Sequence, residues 1–350
     1  MTTYSLALIP GDGIGTEVVD AALVPLRAAA AKHGFDFAET RYDWSCERYL
    51  VTGSMMPEDG LDQLRRHDAI LLGAVGWPAR VPDDVSLHGL LLPIRKGFDL
   101  YVNMRPHQLL PGITGPLRKD VFDILCIREN TEGEYSGAGG RVHVGEPSEV
   151  AVETAIFTRG AVERILRYGF EQARKRSGKL ASVTKSNAQR HSMVFWDDVT
   201  DELAIEYPDV TVTRYHVDAI AARMITHPET LDVVVASNLF GDILTDIGAA
   251  IQGGLGFAAS ANINPDARVP SMFEPVHGSA PDIAGTGTAN PIATIWSCVQ
   301  LLDHLGETAA ATDLFGAISR VTANSAHLTP DCGGGGTTAS VAERIADVLR

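Results

Sequence analysis

Cysteine is scarce in this chain, and acidic side chains outnumber basic ones. Its four cysteines lie far apart without a C-x-x-C pair, which is typical of reduced thiols and not of a disulfide framework. The 29 lysines and arginines face 44 aspartates and glutamates, which gives a net charge of −15. This excess of negative charge argues against nucleic acids and anionic membranes as partners. An anionic substrate would therefore need a local group of cations.

Long apolar runs and an N-terminal targeting pattern are missing as well. No apolar run reaches the roughly 18 residues of a membrane-spanning helix, and no charged segment with an apolar run behind it opens the chain. With 45% apolar and 21% charged residues, the composition is that of a globular protein. A length of 350 residues predicts two domains. We expect a cytoplasmic protein.

Short aliphatic runs alternate with amphipathic stretches, which predicts an α/β architecture with largely buried strands. The predicted strands span residues 5–9, 68–72, 122–127, 180–184, 210–215 and 231–236, and the predicted helices span residues 17–32, 154–176 and 190–206. Residues 137–153 differ, because glycines are followed there by alternating valines. They predict an exposed hairpin or arm without a core of its own, and such arms often pair with another subunit.

The segment "IPGDGIG" lies between a predicted strand and a predicted helix, and it carries Gly11, Gly13 and Gly15. The dinucleotide-binding fingerprint at such a place is G-x-G-x-x-G with an acidic residue about 20 positions later. Here the third glycine comes one residue early, and Asp12 adds a carboxylate where amides would meet a phosphate. The residues alone leave three interpretations open: an ordinary Rossmann loop, a tight structural turn, or a different nucleotide site that uses this turn.

Two aspartates follow the strand predicted at residues 231–236. Asp242 and Asp246 are four residues apart and so share one face of a helix. The spacing alone is typical of a solvated helix face, but this helix is apolar and follows the carboxyl end of a strand, where open α/β sheets bind ligands. Without a histidine or cysteine companion, the pair suits Mg²⁺ or Mn²⁺. Asp218, which also starts a helix after a strand, is either a third ligand or a helix cap.

Arg95, Arg105 and Arg128 lie at predicted strand or helix ends. Each alone is typical of a surface arginine. Together with Lys185 and Tyr135 they match the needs of a dicarboxylate substrate, because arginine binds carboxylates bidentately while an amine and a phenol can move protons.

Residues 273–291, "FEPVHGSAPDIAGTGTANP", form either a surface loop or a nucleotide-binding loop. The small side chains at residues 277–280 leave room for a ribose or phosphate to approach the backbone. Asp282 would hydrogen-bond an adenosine ribose and repel a 2′-phosphate, which favours NAD over NADP.

Taken together, these motifs closely resemble the β-decarboxylating dehydrogenases that act on isocitrate, 3-isopropylmalate, D-malate or tartrate. The resemblance runs nearly end to end, through "IPGDGIG", "RENTEGEYSG", "TKSN", "SNLFGDILTD" and "FEPVHGSAPDIAG". It implies a two-domain, isopropylmalate-dehydrogenase-like α/β fold with a mixed sheet flanked by helices, and not an ordinary Rossmann fold. It also implies a cofactor domain of residues 1–99 and 253–350. Residues 100–252 would form the substrate, metal and dimerisation domain, with the arm near 137–153.

The resemblance further implies a role for each matching residue. Tyr135 and Lys185 would be catalytic, and Asp242 and Asp246 would bind Mg²⁺ or Mn²⁺ together with Asp218 from the second subunit of a homodimer with shared active sites. The residues expected to bind substrate are Arg95, Arg105, Arg128, His88, Leu90 and Leu91. The residues expected to bind NAD are Ile14, Asn187, Glu274, His277, Gly278, Ser279, Ala280, Asp282 and Asn290. K⁺ is a further candidate cofactor.

Residues 86–96, "SLHGLLLPIRK", bear on the substrate. They lack the Ser-x-Asn of common isocitrate enzymes. His88 stands at the position where the similar isopropylmalate enzymes carry a glutamate. D-malate and tartrate enzymes are the most similar, although His88 replaces their usual tryptophan and Leu90 a serine. We therefore predict NAD- and metal-dependent oxidative decarboxylation of D-malate or tartrate. The alternatives are 3-isopropylmalate or another 3-alkylmalate, which the apolar Leu90 favours, and a non-catalytic nucleotide-binding module, which the presence of Lys185 and Tyr135 disfavours.

Overall fold

A computed structural model describes residues 2–117, 121–266 and 268–350. The chain divides into two compact units. Unit 1 comprises Met1–Leu100, Gln108–Asp120 and Ala249–Arg350, and unit 2 comprises Tyr101–His107 and Val121–Gly248. The strands are β1 (Thr2–Gly11), β2 (Phe35–Arg41), β3 (Ala69–Ala74), β4 (Val102–Gln108), β5 (Asp123–Glu129), β6 (Gly133–Val142), β7 (Val150–Ile156), β8 (Lys179–Thr184), β9 (Thr211–His216), β10 (Val233–Ala236), β11 (Ala259–Ile263) and β12 (Ser271–Pro275). The helices are α1 (Gly15–His33), α2 (Cys46–Thr52), α3 (Gly60–Leu64), α4 (Asp83–Ser86), α5 (Leu92–Gly97), α6 (Arg159–Lys175), α7 (Ser192–Glu206), α8 (Val217–Thr226), α9 (Asn238–Ile251), α10 (Ile292–His304), α11 (Thr308–Thr322) and α12 (Thr338–Leu349).

Unit 1 is built on strands in the order β2-β1-β3-β12-β11. β1 pairs in parallel with β2 and β3, and β12 pairs in parallel with β3 but antiparallel to β11. Every residue of β3 is buried, as expected for a strand covered by helices on both faces. α1 packs against α10, α11 and α12 and ends where Gly34 adopts a left-handed conformation.

Gly112 and Gly115 lie in a segment that groups with unit 1, whereas the family resemblance implied that residues 100–252 form the second domain. The reason is close backbone packing. A Cβ atom at Gly112 would lie 2.3 Å from the carbonyl oxygen of Thr322, and one at Gly115 would lie 2.6 Å from that of Ile251. Only glycine allows these approaches, and the sequence pattern alone does not reveal such contacts.

Unit 2 is built on strands in the order β4-β5-β10-β8-β9, with β10 parallel to β5 and β8, and β8 parallel to β9. β6 and β7 form a separate antiparallel pair, which confirms the hairpin predicted at residues 137–153. The valines of this arm, Val142, Val144, Val150 and Val152, are all exposed.

The six predicted strands are all present, but the helix predicted over residues 154–176 starts too early. Residues up to Ile156 belong to β7, and α6 begins at Arg159. Thr158 sets this start because its hydroxyl accepts the N–H of Ala161 at 3.3 Å, as an N-cap residue does. Among the described residues, no helix is long and apolar enough to cross a membrane.

Candidate active site

Helix α9 is held close to the strands that carry the predicted arginines. It follows the fully buried strand β10, and two glycines bring its backbone against neighbouring strands. A Cβ atom at Gly241 would lie 2.7 Å from the Cβ atom of Arg128 on β5, and one at Gly248 would lie 2.6 Å from the imidazole of His107 on β4. A larger side chain at either glycine would push α9 away from these strands.

The residues Arg105, Arg128, Tyr135, Asp242 and Asp246 form a group that we call the α9 cluster. Arg128 donates to Asp242 Oδ1, Arg105 Nη1 lies 3.5 Å from the same oxygen, and the Tyr135 hydroxyl donates to Asp242 Oδ2 at 3.2 Å. Both arginines are buried, whereas the Asp242 side chain is 37% exposed. The structure thus brings together two cations, a phenol and a carboxylate that an incoming ligand can reach.

The chemistry of this donor set fits a hard divalent cation. Burial and then the negative charge of Asp242 raise the pKa of Asp246, and the two arginines only partly oppose this. A bound cation would relieve the repulsion between the two carboxylates, and oxygen ligands suit Mg²⁺ or Mn²⁺. Within the described ranges, however, no group of three histidine, cysteine, aspartate or glutamate side chains is assembled for a metal ion. The third expected ligand, Asp218, is accordingly not beside the pair in one chain.

Tyr135 is placed to hold a proton at its phenolic oxygen. Burial, followed by the charge of Asp242, raises the pKa of Tyr135. Its ring also lies under the guanidinium of Arg128, 5.4 Å from the ring centroid, a favourable cation–π arrangement. Tyr135 is therefore a protonated group in contact with the carboxylate of Asp242.

Lys185 and Asp218 form an ion pair with each other in unit 2. Lys185 directly follows β8, and Asp218 lies in the first turn of α8. The hydrogen bond from Lys185 lowers the pKa of Asp218. In the part of the chain that the structure describes, neither side chain bonds to the α9 cluster. A single chain therefore presents two separate groups, the α9 cluster and the Lys185–Asp218 pair.

The glycine turn of unit 1 is closed by the carboxylate of Asp12. Its Oδ1 accepts the N–H of Cys46 at 2.9 Å, its Oδ2 accepts the N–H of Gly76 at 3.0 Å, and its own N–H donates to Ala74 at 2.7 Å. Asp12 is only 4% exposed. A buried, fully bonded carboxylate occupies the place where a Rossmann loop offers amides to phosphate, so the ordinary Rossmann interpretation is wrong.

The same turn packs against the predicted nucleotide loop within unit 1. The N–H of Ile14 donates to Ser279 at 2.8 Å, and the Ser279 hydroxyl donates to the carbonyl of Gly76. Gly13 has a φ of +54°, and a Cβ there would lie 2.0 Å from the Ser279 carbonyl oxygen. Ile14 is buried, and Ala280, with a φ of +36°, packs against its cluster.

Several groups in this loop remain open to a ligand. The His277 Nδ1 lies 3.0 Å from the carbonyl of Gly278, and burial lowers the pKa of His277. Its Nε2 is buried and has no partner among the described residues, so this ring nitrogen has an unused capacity to accept a hydrogen bond. Gly278 has open space where a Cβ would be, and the exposed Asp282 has no hydrogen bond or ion pair within the described ranges. These features fit a nucleotide.

Other residues predicted to bind substrate or cofactor are occupied by the protein itself. Arg95 Nη2 donates to Glu274 Oε1 at 2.7 Å, and both side chains are buried. Asn290 donates to Asp331 at 3.0 Å and accepts the N–H of Ile292 at the start of α10. Asn187 differs from these residues, because it is exposed in the turn after β8.

The predicted specificity residues separate into two kinds. Leu87–Leu91 winds as a π-helical turn, which places His88 at the surface and leaves Leu91 partly exposed. Leu90 has no exposed surface and packs into the core of unit 1 with Trp44. The prediction that Leu90 faces the substrate is therefore corrected, because the widened turn directs this side chain inward.

Replacing Leu90 with serine is expected to destabilise the protein rather than to change its substrate. We expect the free energy of unfolding to fall by about 2–5 kcal/mol, the cost of truncating a buried leucine, with a further loss for the buried hydroxyl. Urea unfolding measures this, and Leu91→Ser is the control with a smaller loss. A stable Leu90→Ser variant with higher turnover of tartrate would show that Leu90 does contact the substrate.

Three residues of the site were missed by the sequence reasoning. Asn238 accepts from Arg128 Nε and Nη2 at 3.0 and 2.7 Å, Thr245 accepts from Arg105 Nη1 at 2.6 Å, and Glu134 accepts from Ser237 and Leu239. All three lie within segments in which other residues were predicted to form the site. A signal was present for Thr245, because it shares α9 with the two aspartates.

Comparison with known proteins identifies the family of this chain. The family model for isocitrate/isopropylmalate dehydrogenase matches residues 5–348. This chain belongs to that family. It is 51% identical to a probable tartrate dehydrogenase/decarboxylase of Bacillus subtilis, and 49% identical to the decarboxylating D-malate dehydrogenase of Escherichia coli, covering 100% of this chain and 99% of each relative. The crystal structure of isocitrate dehydrogenase from Methylococcus capsulatus matches with a TM-score of 0.90 at 34% identity, covering 99% of both chains. The α/β fold of this family and its class, the decarboxylating dehydrogenases, are thus as predicted.

Proposed function

We propose that this chain catalyses the NAD- and divalent-metal-dependent oxidative decarboxylation of a (2R)-malate-type 2-hydroxy acid, with D-malate and tartrate as the first candidates. The α9 cluster carries the proposal, because its two carboxylates suit a metal ion and its two buried arginines suit substrate carboxylates. The relatives named for tartrate and D-malate support the choice of substrate.

Each residue of the cluster has a role in this proposal. Arg105 and Arg128 bind carboxylates of the substrate. Arg95 was predicted to share this task, but its guanidinium is paired with Glu274, so that role stays a prediction. Asp242 and Asp246 hold the metal ion with Asp218 of the partner subunit. The metal, when bound, supplies Lewis acidity that makes the substrate hydroxyl easier to deprotonate.

Two proton transfers complete the reaction. Lys185, as a neutral amine, takes up the hydroxyl proton of the substrate at Nζ. NAD, when bound, would supply the acceptor for the hydride of C2. The C3–carboxylate bond then breaks and CO₂ leaves. Tyr135 donates its Oη proton to C3, a step suited to a phenol that burial keeps protonated.

The homodimer is part of the proposal. The valines of the arm are exposed and do not form a buried core. A two-stranded hairpin by itself is only marginally stable in water. The separation of the Lys185–Asp218 pair from the α9 cluster in one chain is also explained if a second chain supplies the pair.

Cofactor choice gives a direct prediction. Because the Asp282 carboxylate is exposed and unpartnered among the described residues, we expect strong preference for NAD. The Asp282→Lys change should move the ratio of kcat/KM values for NAD and NADP toward NADP by about tenfold or more, since a like-charge repulsion becomes an attraction. Asp62→Lys on α3 makes the same charge change elsewhere in unit 1 and should leave the ratio unaltered. Equal use of both cofactors by the wild type would contradict the role of Asp282.

The substrate is tested by a panel of D-malate, tartrates, 3-alkylmalates and isocitrate with NAD and Mn²⁺, followed by NADH absorbance. We expect turnover of D-malate, weaker or comparable turnover of tartrate and small 3-alkylmalates, and almost none of isocitrate. Turnover of 3-isopropylmalate about a hundredfold above D-malate would assign the alkylmalate alternative, because a pocket that fits an added alkyl group gives a preference of about this size. NAD binding without turnover of any member would favour the non-catalytic module.

A further inference from the structure

Glu134 contacts the start of α9 through both carboxylate oxygens. Its Oε1 accepts the hydroxyl of Ser237 at 2.8 Å, and its Oε2 accepts the N–H of Leu239 at 3.1 Å. The Ser237 hydroxyl oxygen in turn lies 3.4 Å from the N–H of Phe240. One carboxylate thereby satisfies donors at the first turn of a helix that has no partner for them within the helix.

The geometry points to Glu134 as a positioning residue that fixes the first turn of α9 and thereby the placement of Asp242 and Asp246. This inference rests on the proposed function, which makes these aspartates the metal ligands. Glu134 itself is not proposed as a ligand, because its oxygens accept from Ser237 and Leu239 and it has no described contact with Asp242 or Asp246.

The neighbours of Glu134 show why the position of α9 matters. Tyr135, the next residue on β6, bonds to Asp242, and the carbonyl of Glu132 accepts from Asn238 at 3.1 Å. β6 and the turn before it therefore contact α9 at three places: Asn238, the N–H of Leu239, and Asp242 one turn further along. Asp242 is four residues beyond Asn238, about 6 Å along the axis, so a tilt at the first turn shifts the carboxylates against Arg128.

Electrostatics act in the same direction. A carboxylate at a helix N-terminus interacts favourably with the helix dipole and with the free N–H groups. Glutamine at position 134 would keep the shape of the side chain but lose its charge. Its NH₂ group would then face either the Ser237 hydroxyl or the Leu239 N–H, both of which now donate to Glu134. The first turn of α9 would lose one hydrogen bond and its charge complement.

The test compares Glu134→Gln with Glu132→Gln. The Glu132 carboxylate accepts the N–H and hydroxyl of Thr158 at 2.6 and 2.9 Å, so it belongs to the start of α6 and has no side-chain bond to α9 among the described contacts. Mn²⁺ binding is measured on each purified protein without substrate, by electron paramagnetic resonance of the free ion, and D-malate oxidation is measured separately.

We expect Glu134→Gln to raise the Mn²⁺ Kd and lower kcat by about tenfold or more, the effect of removing a residue that orients a metal ligand, with KM for NAD unchanged. Glu134→Asp should restore part of both, and Glu132→Gln should leave the Mn²⁺ Kd within about twofold of wild type. If Glu134→Gln does not fold, Ser237→Ala removes the same contact and should show the same loss of Mn²⁺ affinity.

Two results would overturn the inference: an unchanged Mn²⁺ Kd in the folded Glu134→Gln or Ser237→Ala variant, or an equal rise in Glu132→Gln. Failure of the proposed function is distinguishable, because wild type itself would then bind no Mn²⁺ or oxidise no D-malate.

Discussion

Replacement of Lys185 by methionine is expected to lower kcat for D-malate by about 10²–10⁴-fold, the range for removing a general acid or base. Methionine keeps the length of the side chain but cannot accept the hydroxyl proton. The affinity for NAD should stay close to wild type, because the open groups of the nucleotide loop lie in unit 1. Steady-state kinetics and a fluorescence titration of NAD binding measure the two effects.

Lys179→Met is the matched control for this variant. Lys179 begins β8, the strand that Lys185 follows, and it is exposed. The change removes the same charge from the same strand, so kcat should stay near wild type. A comparable loss of kcat in Lys179→Met would show that the effect of Lys185→Met comes from the charge of unit 2 and not from proton transfer.

Verified heterodimers are expected to regain activity only in one combination of inactive variants. Lys185 and Asp218 are paired within one chain, so we expect one protomer to supply both to the partner's α9 cluster. A heterodimer of Lys185→Met and Asp242→Asn then has one intact site. It should show about half of wild-type activity per dimer, while each homodimer is inactive.

The heterodimer of Lys185→Met and Asp218→Asn should stay inactive. Each of its two sites would receive a defective pair from the other chain. Two affinity tags and tandem purification give the heterodimers, and the initial rate with D-malate and Mn²⁺ is the readout. Recovery in this second combination would show that Lys185 and Asp218 serve different sites, and no recovery in the first would argue against sites shared between subunits.

The sequence predicted the strands and the arm well because these depend on local patterns. Buried parallel strands such as β10 are short, continuous apolar runs, and the arm combines glycines with alternating valines. The start of α6 was misplaced because a β-strand continues to Ile156 before Thr158 caps the helix. The residues at the end of β7 and those of α6 are both compatible with a helix, so the boundary between them depends on the pairing of β7 with β6.

Contacts between distant residues could not be predicted in the same way. The role of Asp12 depends on the N–H groups of Cys46 and Gly76, and the role of Glu134 depends on a serine 103 residues away. Leu90 was assigned to the substrate because the family resemblance places it in the segment that determines the substrate. A π-helical turn changes the face that each residue presents. No residue type in the segment predicts such a turn.

The simultaneous measurement of NADH and CO₂ from D-malate tests the proposed reaction most directly. With Mn²⁺ present, we expect equal amounts of the two products, and we expect both to disappear when EDTA removes the metal and to return when Mn²⁺ is added in excess. The Asp242→Asn variant should form neither product. Formation of NADH without CO₂, or equal rates with and without EDTA, would contradict metal-dependent oxidative decarboxylation by this protein.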